Sequence, residues 1–298
     1  MADPRGLDDS DCLHRFLFEA LPVRGELVHL DRCWQEIAGQ ADYPPAVRRA
    51  LGEALAAAVL LTSTLKFDGK LTLQLAGDGP MHLLVVQCTS QHEVRGLAKW
   101  SGEAPEGDLR SLAGEGRVAI TIEAGEEKDS YQGIVPITGA TLAESLEGYF
   151  QRSVQLPTRL WLTSGANGTA GMLLQRVPDS WGEAAEAAWQ HVQVLADTLS
   201  QDELRKLTDR DILRRLFHQD DLRLFEPQPV QFRCSCSQAR VEGTLRMLGR
   251  DEIVGLLEEQ PQIEVRCEFC NHAYRFDAVD AQSLFVDLPP DSGPSLLH

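Results

Sequence analysis

The sequence is short of positive charge and of long apolar runs, and each shortage excludes functions. Lys and Arg number 28 against 45 Asp and Glu, for a formal net charge of −17. A phosphate backbone or an anionic membrane surface repels such a chain unless its charge is segregated. The segment from Pro227 to Phe285 offers no such segregation, with six arginines and no lysine against nine acidic residues. No nucleic-acid or membrane partner is therefore expected. The longest apolar stretch, Ala54 to Leu61, falls far short of the roughly 20 residues of a membrane-spanning helix. Asp8, Asp9 and Asp11 have the wrong charge for the basic start of a secretory signal, so a cytoplasmic location is expected. G-x-S-x-G, P-loop and H-E-x-x-H motifs are missing too, and with them any reason to expect a hydrolase or transferase. The chain is read as a non-enzyme.

What is present begins with an alternating, mixed pattern over the first 178 residues. Leu13–Glu19 and Arg24–Leu30 read as strands around a Leu21-Pro22 break. Pro44 and Pro45 open an Ala-rich helix to about Leu65, apolar on most faces and hence central to a core. Lys70–Leu75, Met81–Gln87, Val94–Trp100, Arg117–Glu123 and Tyr131–Ile137 read as further strands. Thr141 with Glu144 forms a capping box for a helix ending near Ser153, and Arg159–Thr163 and Met172–Val177 complete the strands. From Ser180 to Glu226 the period turns helical. Ala185, Ala188, Val192, Leu195 and Leu199 make one stripe, Ser200 and Glu203 a second capping box, and Leu204, Leu207, Ile212, Leu213 and Leu216 continue the stripe. Such a face must cover something.

The seven cysteines divide sharply. Cys12, Cys33 and Cys88 are scattered and read as small buried hydrophobes. Cys234-x-Cys236 and Cys267-x-x-Cys270 are two tight pairs, 30 residues apart. Two short-range thiol pairs brought together by a small fold supply the tetrahedral S4 shell of a structural zinc ion. His272 is the one competing ligand nearby, and with four thiolates present it falls outside the shell. The same thiolates are nucleophiles toward oxidants, and each has a neighbour within reach. Oxidation can therefore close Cys234–Cys236 and Cys267–Cys270 without long-range movement, and either bond removes two ligands. In small zinc peptides the metal supplies about 10–16 kcal/mol of folding free energy. A module of this size has too thin a core to stay folded without it. The chemistry reaches a redox-controlled order-to-disorder switch and leaves open what the switch controls.

Several blocks then resemble the heat-shock protein 33 family of redox-regulated holdase chaperones. They are LLTSTLKFDGKLTLQLAGDGPMHLLVV (Leu60–Val86), YQGIVPI (Tyr131–Ile137), TLAESLEGYFQRSVQLPT (Thr141–Thr158), GMLLQRVP (Gly171–Pro178), RLFHQDDLRLFEPQPVQFRCSCS (Arg215–Ser237) and CEFCNHAYRF (Cys267–Phe276). Ala170, in place of the glycine expected before Gly171, and Asn271, where glycine is common, are small departures. The resemblance implies ATP-independent binding of unfolding client proteins after oxidation, dimerisation of the active form, and one zinc per chain in the reduced state. It matches Cys234, Cys236, Cys267 and Cys270 one for one with zinc-binding, disulfide-forming positions. No motif fixes the client-binding residues. The expected fold class is α+β, with a mixed α/β domain over 1–178, a helical linker over 179–229, a zinc-binding redox-switch domain over 230–287 and a disordered tail over 288–298.

Two rival classes set the tests. A nucleic-acid-binding zinc module is disfavoured by the charge and by the lack of interleaved basic and aromatic residues. A thiol–disulfide oxidoreductase using Cys267-x-x-Cys270 would place that pair at a strand-to-helix start and leave it free of metal.

Overall fold

The alternation in the first thirty residues folds as an antiparallel hairpin of β1 (Cys12–Phe18) and β2 (Val23–Leu30). A computed structural model describes residues 10–125, 129–178, 180 and 182–285. The tail expected to be disordered, 288–298, lies outside the described residues, as do residues 1–9. A short helix follows the hairpin, α1 (Arg32–Ala38), and then the Pro-initiated α2 (Pro45–Ser63). The strands β3 (Gly69–Ala76), β4 (Met81–Thr89), β5 (Glu93–Trp100), β6 (Arg117–Ala124) and β7 (Asp129–Pro136) succeed it, with a short helix α3 (Leu109–Ala113) between β5 and β6. The capping box at Thr141 and Glu144 opens α4 (Leu142–Tyr149), which runs into a π-helical turn at Phe150–Val154. Strands β8 (Thr158–Ser164) and β9 (Thr169–Arg176) close this part.

The segment beyond Val177 is helical over α5 (Glu183–Ala196), α6 (Gln201–Lys206) and α7 (Asp209–Phe217). It then returns as three short strands, β10 (Leu222–Leu224), β11 (Gln228–Pro229) and β12 (Gln231–Phe232). The first sheet has the order β10-β1-β2-β9-β8, with β11 also paired to β1. The second has the order β12-β5-β4-β3-β6-β7. Helix α2 packs against strands of both, and Leu51, Ala54, Leu55, Val59 and Leu60 are wholly buried there. Gly171 is needed at this contact, because a Cβ on it would come within 2.8 Å of Leu60.

The first sheet is covered on both faces, which is why every residue of β9 is buried. One face, with Leu13, Val28 and Leu173, belongs to the α2 core. The other face presents Phe16, Phe18, Leu27, Met172 and Leu174 to the helices α5–α7. The stripe on those helices lands there: Val192, Leu199, Leu204, Ile212, Leu213 and Leu216 are all buried. Trp189 and Phe217 join them, and Phe217 meets Phe18 edge-on at a centroid distance of 5.0 Å. Each of these side chains contributes about 1.5–3 kcal/mol by leaving water. The helices are thus a connector seated on a large apolar sheet face.

The described residues up to Arg233 form one compact unit and those from Cys234 a second. The second contains α8 (Gln238–Leu248), α9 (Arg250–Glu259), an antiparallel hairpin β13 (Ile263–Arg266) and β14 (Ala273–Phe276), and α10 (Ala278–Ser283). Among the described residues its core is small: six buried side chains, Leu245, Ile253, Ile263, Phe276, Ala281 and Leu284.

Candidate metal centre

The four clustered cysteines come from two loops of the second unit. Cys234 and Cys236 lie in the extended stretch before α8, and that stretch is braced from behind. Ser237 caps α8 by accepting from the Arg240 amide, and the Arg240 guanidinium donates to the Ser235 carbonyl and hydroxyl at 2.9 Å. Cys267 and Cys270 lie on the turn of the β13–β14 hairpin. There the Cys267 amide donates to the His272 carbonyl at 3.0 Å, and the Asn271 amide donates to the Cys267 carbonyl at 2.8 Å. Asn271 adopts φ 54°, the left-handed region that glycine and then asparagine tolerate best. This explains why asparagine serves at a position where glycine is common.

The four Sγ atoms all lie within 4.8 Å of one another. Cys234 and Cys267 are 3.6 Å apart and Cys236 and Cys270 are 3.5 Å apart. These distances are far longer than a disulfide, about 2.05 Å. They are close to the edge of a tetrahedron whose centre is 2.3 Å from each sulfur, about 3.8 Å. Four soft donors at tetrahedral separations can hold a metal ion, and thiolates favour zinc and similar soft ions. His272 stays outside the cluster, exposed, with its ring edge-on to Tyr274 at 4.6 Å.

One partner of the cluster has no signal in the sequence. Tyr274 on β14 donates its hydroxyl to the Cys236 sulfur at 3.1 Å. That bond, with the charge of the surrounding thiols, pushes the Tyr274 hydroxyl up to about 12, so it remains a donor. Only the hairpin register reveals this contact, because Tyr274 lies 38 residues from Cys236.

The thiols are electrostatically unequal. Burial alone would raise Cys234, but hydrogen bonds from the Cys236 amide and the neighbouring thiols outweigh it and hold Cys234 at about 7. Burial and the shared sulfur contacts push Cys270 well up. The scattered cysteines behave differently. Cys12, Cys33 and Cys88 are all buried, and burial raises the Cys88 thiol to about 12 and Cys33 higher still. Such thiols are inert.

A family model described as Hsp33 protein matches residues 11–277. The chain belongs to the heat-shock protein 33 family. Its relatives include the 33 kDa chaperonins of Nitrosococcus oceani, 47% identical over 94% of this chain and 96% of the relative, and of Methylobacillus flagellatus, 46% identical over 93% and 95%. That of Pseudomonas aeruginosa is 45% identical over 97% of this chain and 99% of its own length. In fold the chain is similar to the crystal structure of the 33 kDa chaperonin (heat shock protein 33 homolog) of Thermotoga maritima. The TM-score is 0.79 at 22% identity, covering 92% of this chain and 97% of that one. The family resemblance carried by Leu60–Val86 and Cys267–Phe276 is therefore correct, and so is the α+β class.

Proposed function

We propose that this chain is a redox-regulated, ATP-independent holdase that binds unfolding proteins after its four-cysteine centre is oxidised. Supporting this reading above all is the centre itself, four sulfurs at tetrahedral separations in a unit whose core, among the described residues, is six side chains. Cys234, Cys236, Cys267 and Cys270 would hold one zinc ion per chain in the reduced state, and the ion would supply the folding free energy that the core lacks.

The oxidant is a peroxide. One thiolate attacks the O–O bond, giving a sulfenic acid and hydroxide, and a second thiolate displaces hydroxide from that sulfur to close the disulfide. Two electrons pass from sulfur to the peroxide for each bond. The pairs are Cys234–Cys236 and Cys267–Cys270. The 3.6 and 3.5 Å approaches favour the crossed pairs Cys234–Cys267 and Cys236–Cys270 as a second reading. Those distances are edges of the closed cluster, however. Once the unit loosens, only partners one or two residues apart stay close. Peptide mapping of the oxidised protein separates the two.

In this reading, loss of the module's fold is followed by opening of the connector. Opening the connector exposes Phe16, Phe18, Leu27, Met172 and Leu174 together with its own stripe, a contiguous apolar surface of the kind that unfolding clients bind. The partners are such clients and, when oxidised, a second copy of the chain; nucleic acid and membranes are not partners, and the location is cytoplasmic. The deciding measurement is light scattering from a thermally unfolding client, with the protein added zinc-loaded and reduced or peroxide-treated while warm. Suppression by the oxidised form alone is expected. Equal suppression by both forms, or by neither, would reduce the centre to a structural element.

A further inference from the structure

The connector is held down by more than apolar contact. Beneath the N-terminus of α7, Asp209 is wholly buried at the junction of the connector and the first sheet, with His29 wholly buried and His14 almost so. Its Oδ2 lies 2.6 Å from Nδ1 of His14 on β1, and its Oδ1 lies 2.8 Å from Nδ1 of His29 on β2. His29 Nε2 lies 2.7 Å from the carbonyl oxygen of Leu204 in α6. A carbonyl can only accept, so the Nε2 of His29 carries a proton, while its Nδ1 faces the Asp209 carboxylate at ion-pair distance. The sheet thus grips the connector at two points, the α7 carboxylate and an α6 carbonyl, through the one ring of His29.

Cys12 Sγ, 3.8 Å from His14 Nδ1, completes a group that resembles a metal site. The separation of 2.6 Å between His14 and Asp209 is that of a charge-assisted hydrogen bond, and ligands around a transition metal stand further apart. Ion pairing is the role that fits.

An ion cluster is a particular kind of fastener. In the closed state its charges have lost their hydration, and Coulomb attraction only offsets that loss. When the connector lifts, the same groups recover water, whereas apolar side chains at these positions would lose by exposure. The cluster therefore fixes one seating of α6 and α7 on the sheet while making their release easier than an all-apolar seam would. We propose that His14, Asp209 and His29 form a latch that seats the connector in the reduced protein and sets how readily it opens. This rests on the holdase reading only for its consequence, since the latch itself is a statement about the connector.

Hydrogen exchange on the full-length, reduced, zinc-loaded protein tests it. In Asp209→Asn, amides of 183–217 should exchange at least tenfold faster while those of β3, β4 and β6 keep their rates. Replacing all three residues by valine, with similar summed volume, should do the opposite and slow connector exchange, in the oxidised protein as well. Unchanged connector exchange in Asp209→Asn, or equal acceleration in both sheets, overturns the latch; so does a triple variant whose connector opens more readily than wild type. Should Asp209→Asn fail to fold, His29→Gln gives the same local reading. If the connector opens in a reduced variant without any suppression of client aggregation, the latch stands and the client-binding reading falls.

Discussion

The first sheet carries a helical layer on each face, and the two layers are built differently. Helix α2 is one 19-residue element, buried along most of its length, lying between both sheets. The connector is three short amphipathic helices of 14, 6 and 9 residues, with exposed outer faces and side-chain caps at Ser200 and Thr208. The buried carboxylates differ as well. On the α2 side, Glu26 of β2 is bonded to the Ser63 hydroxyl of α2, and burial lifts it to about 7 despite that bond and the nearby Arg24 and Arg15. On the connector side, burial also works to raise Asp209, but His29 and His14 outweigh it and hold the group at about 2. The α2 layer buries its carboxyl with a raised hold on its proton. The connector layer buries its own as an ion, which water can reclaim. In the proposed function the first face stays closed and the second comes off.

The largest test of that contrast acts through the second unit. Cys267→Ser removes one thiolate of four and should abolish tight zinc binding, unfold the module and leave suppression of client aggregation no longer dependent on oxidant. Metal content by mass spectrometry, with the scattering assay, reads both; tight zinc with a normal oxidant response would refute the ligand set.

Next come paired truncations on the two layers. Leu55→Ala in α2 and Leu216→Ala in α7 should each cost about 2–5 kcal/mol at the site. Leu55→Ala should accelerate hydrogen exchange throughout 12–176, and Leu216→Ala chiefly within 183–217. Identical patterns would erase the distinction between the layers.

The carboxylates give a smaller effect with opposite signs. Glu26 has a folded value above its ordinary 4.5, so the folded state holds the proton more tightly. Stability is then greatest below pH 4.5 and falls as pH rises toward 7, by roughly 3 kcal/mol. Glu26→Gln should therefore be more stable relative to wild type at pH 8 than at pH 5 in urea unfolding. Asp209 has a folded value below its ordinary 3.8, so its contribution is complete above pH 4 and is lost as pH falls through 2. That loss is roughly 2 kcal/mol, and connector exchange followed from pH 5 to pH 2 should show it.

The smallest effect is at the caps. Ser200→Ala removes the capping box of α6 and should cost about 1 kcal/mol, felt as faster exchange over 201–206. Thr141→Ala does the same to α4 in the α2 core and should leave connector exchange alone.

Much of this architecture was legible along the chain because its signals are local. Two-residue alternation marked the strands, the paired prolines marked the start of α2, and Thr141/Glu144 and Ser200/Glu203 marked helix starts that both form complete capping boxes. The elements missed lack local signals. Helix α1 has no side-chain cap of its own. Its first amides are bound instead by the carboxylate of Asp11, which accepts from Asp31, Arg32 and Cys33 some twenty residues away. Strand β10 is three residues long and exists because β1 offers it an edge.

By itself the sequence determined the two thiol pairs, the apolar stripe and the family, since spacing and period are properties of the chain alone. Tertiary structure decided what the stripe covers, that Tyr274 reaches Cys236, and that His14, His29 and Asp209 meet. The Tyr274–Cys236 and His14–Asp209 contacts join residues 38 and 195 apart in the chain, and no local pattern records them. Their energies come from burial and Coulomb attraction, which depend on distance in space and arise only once the chain has folded.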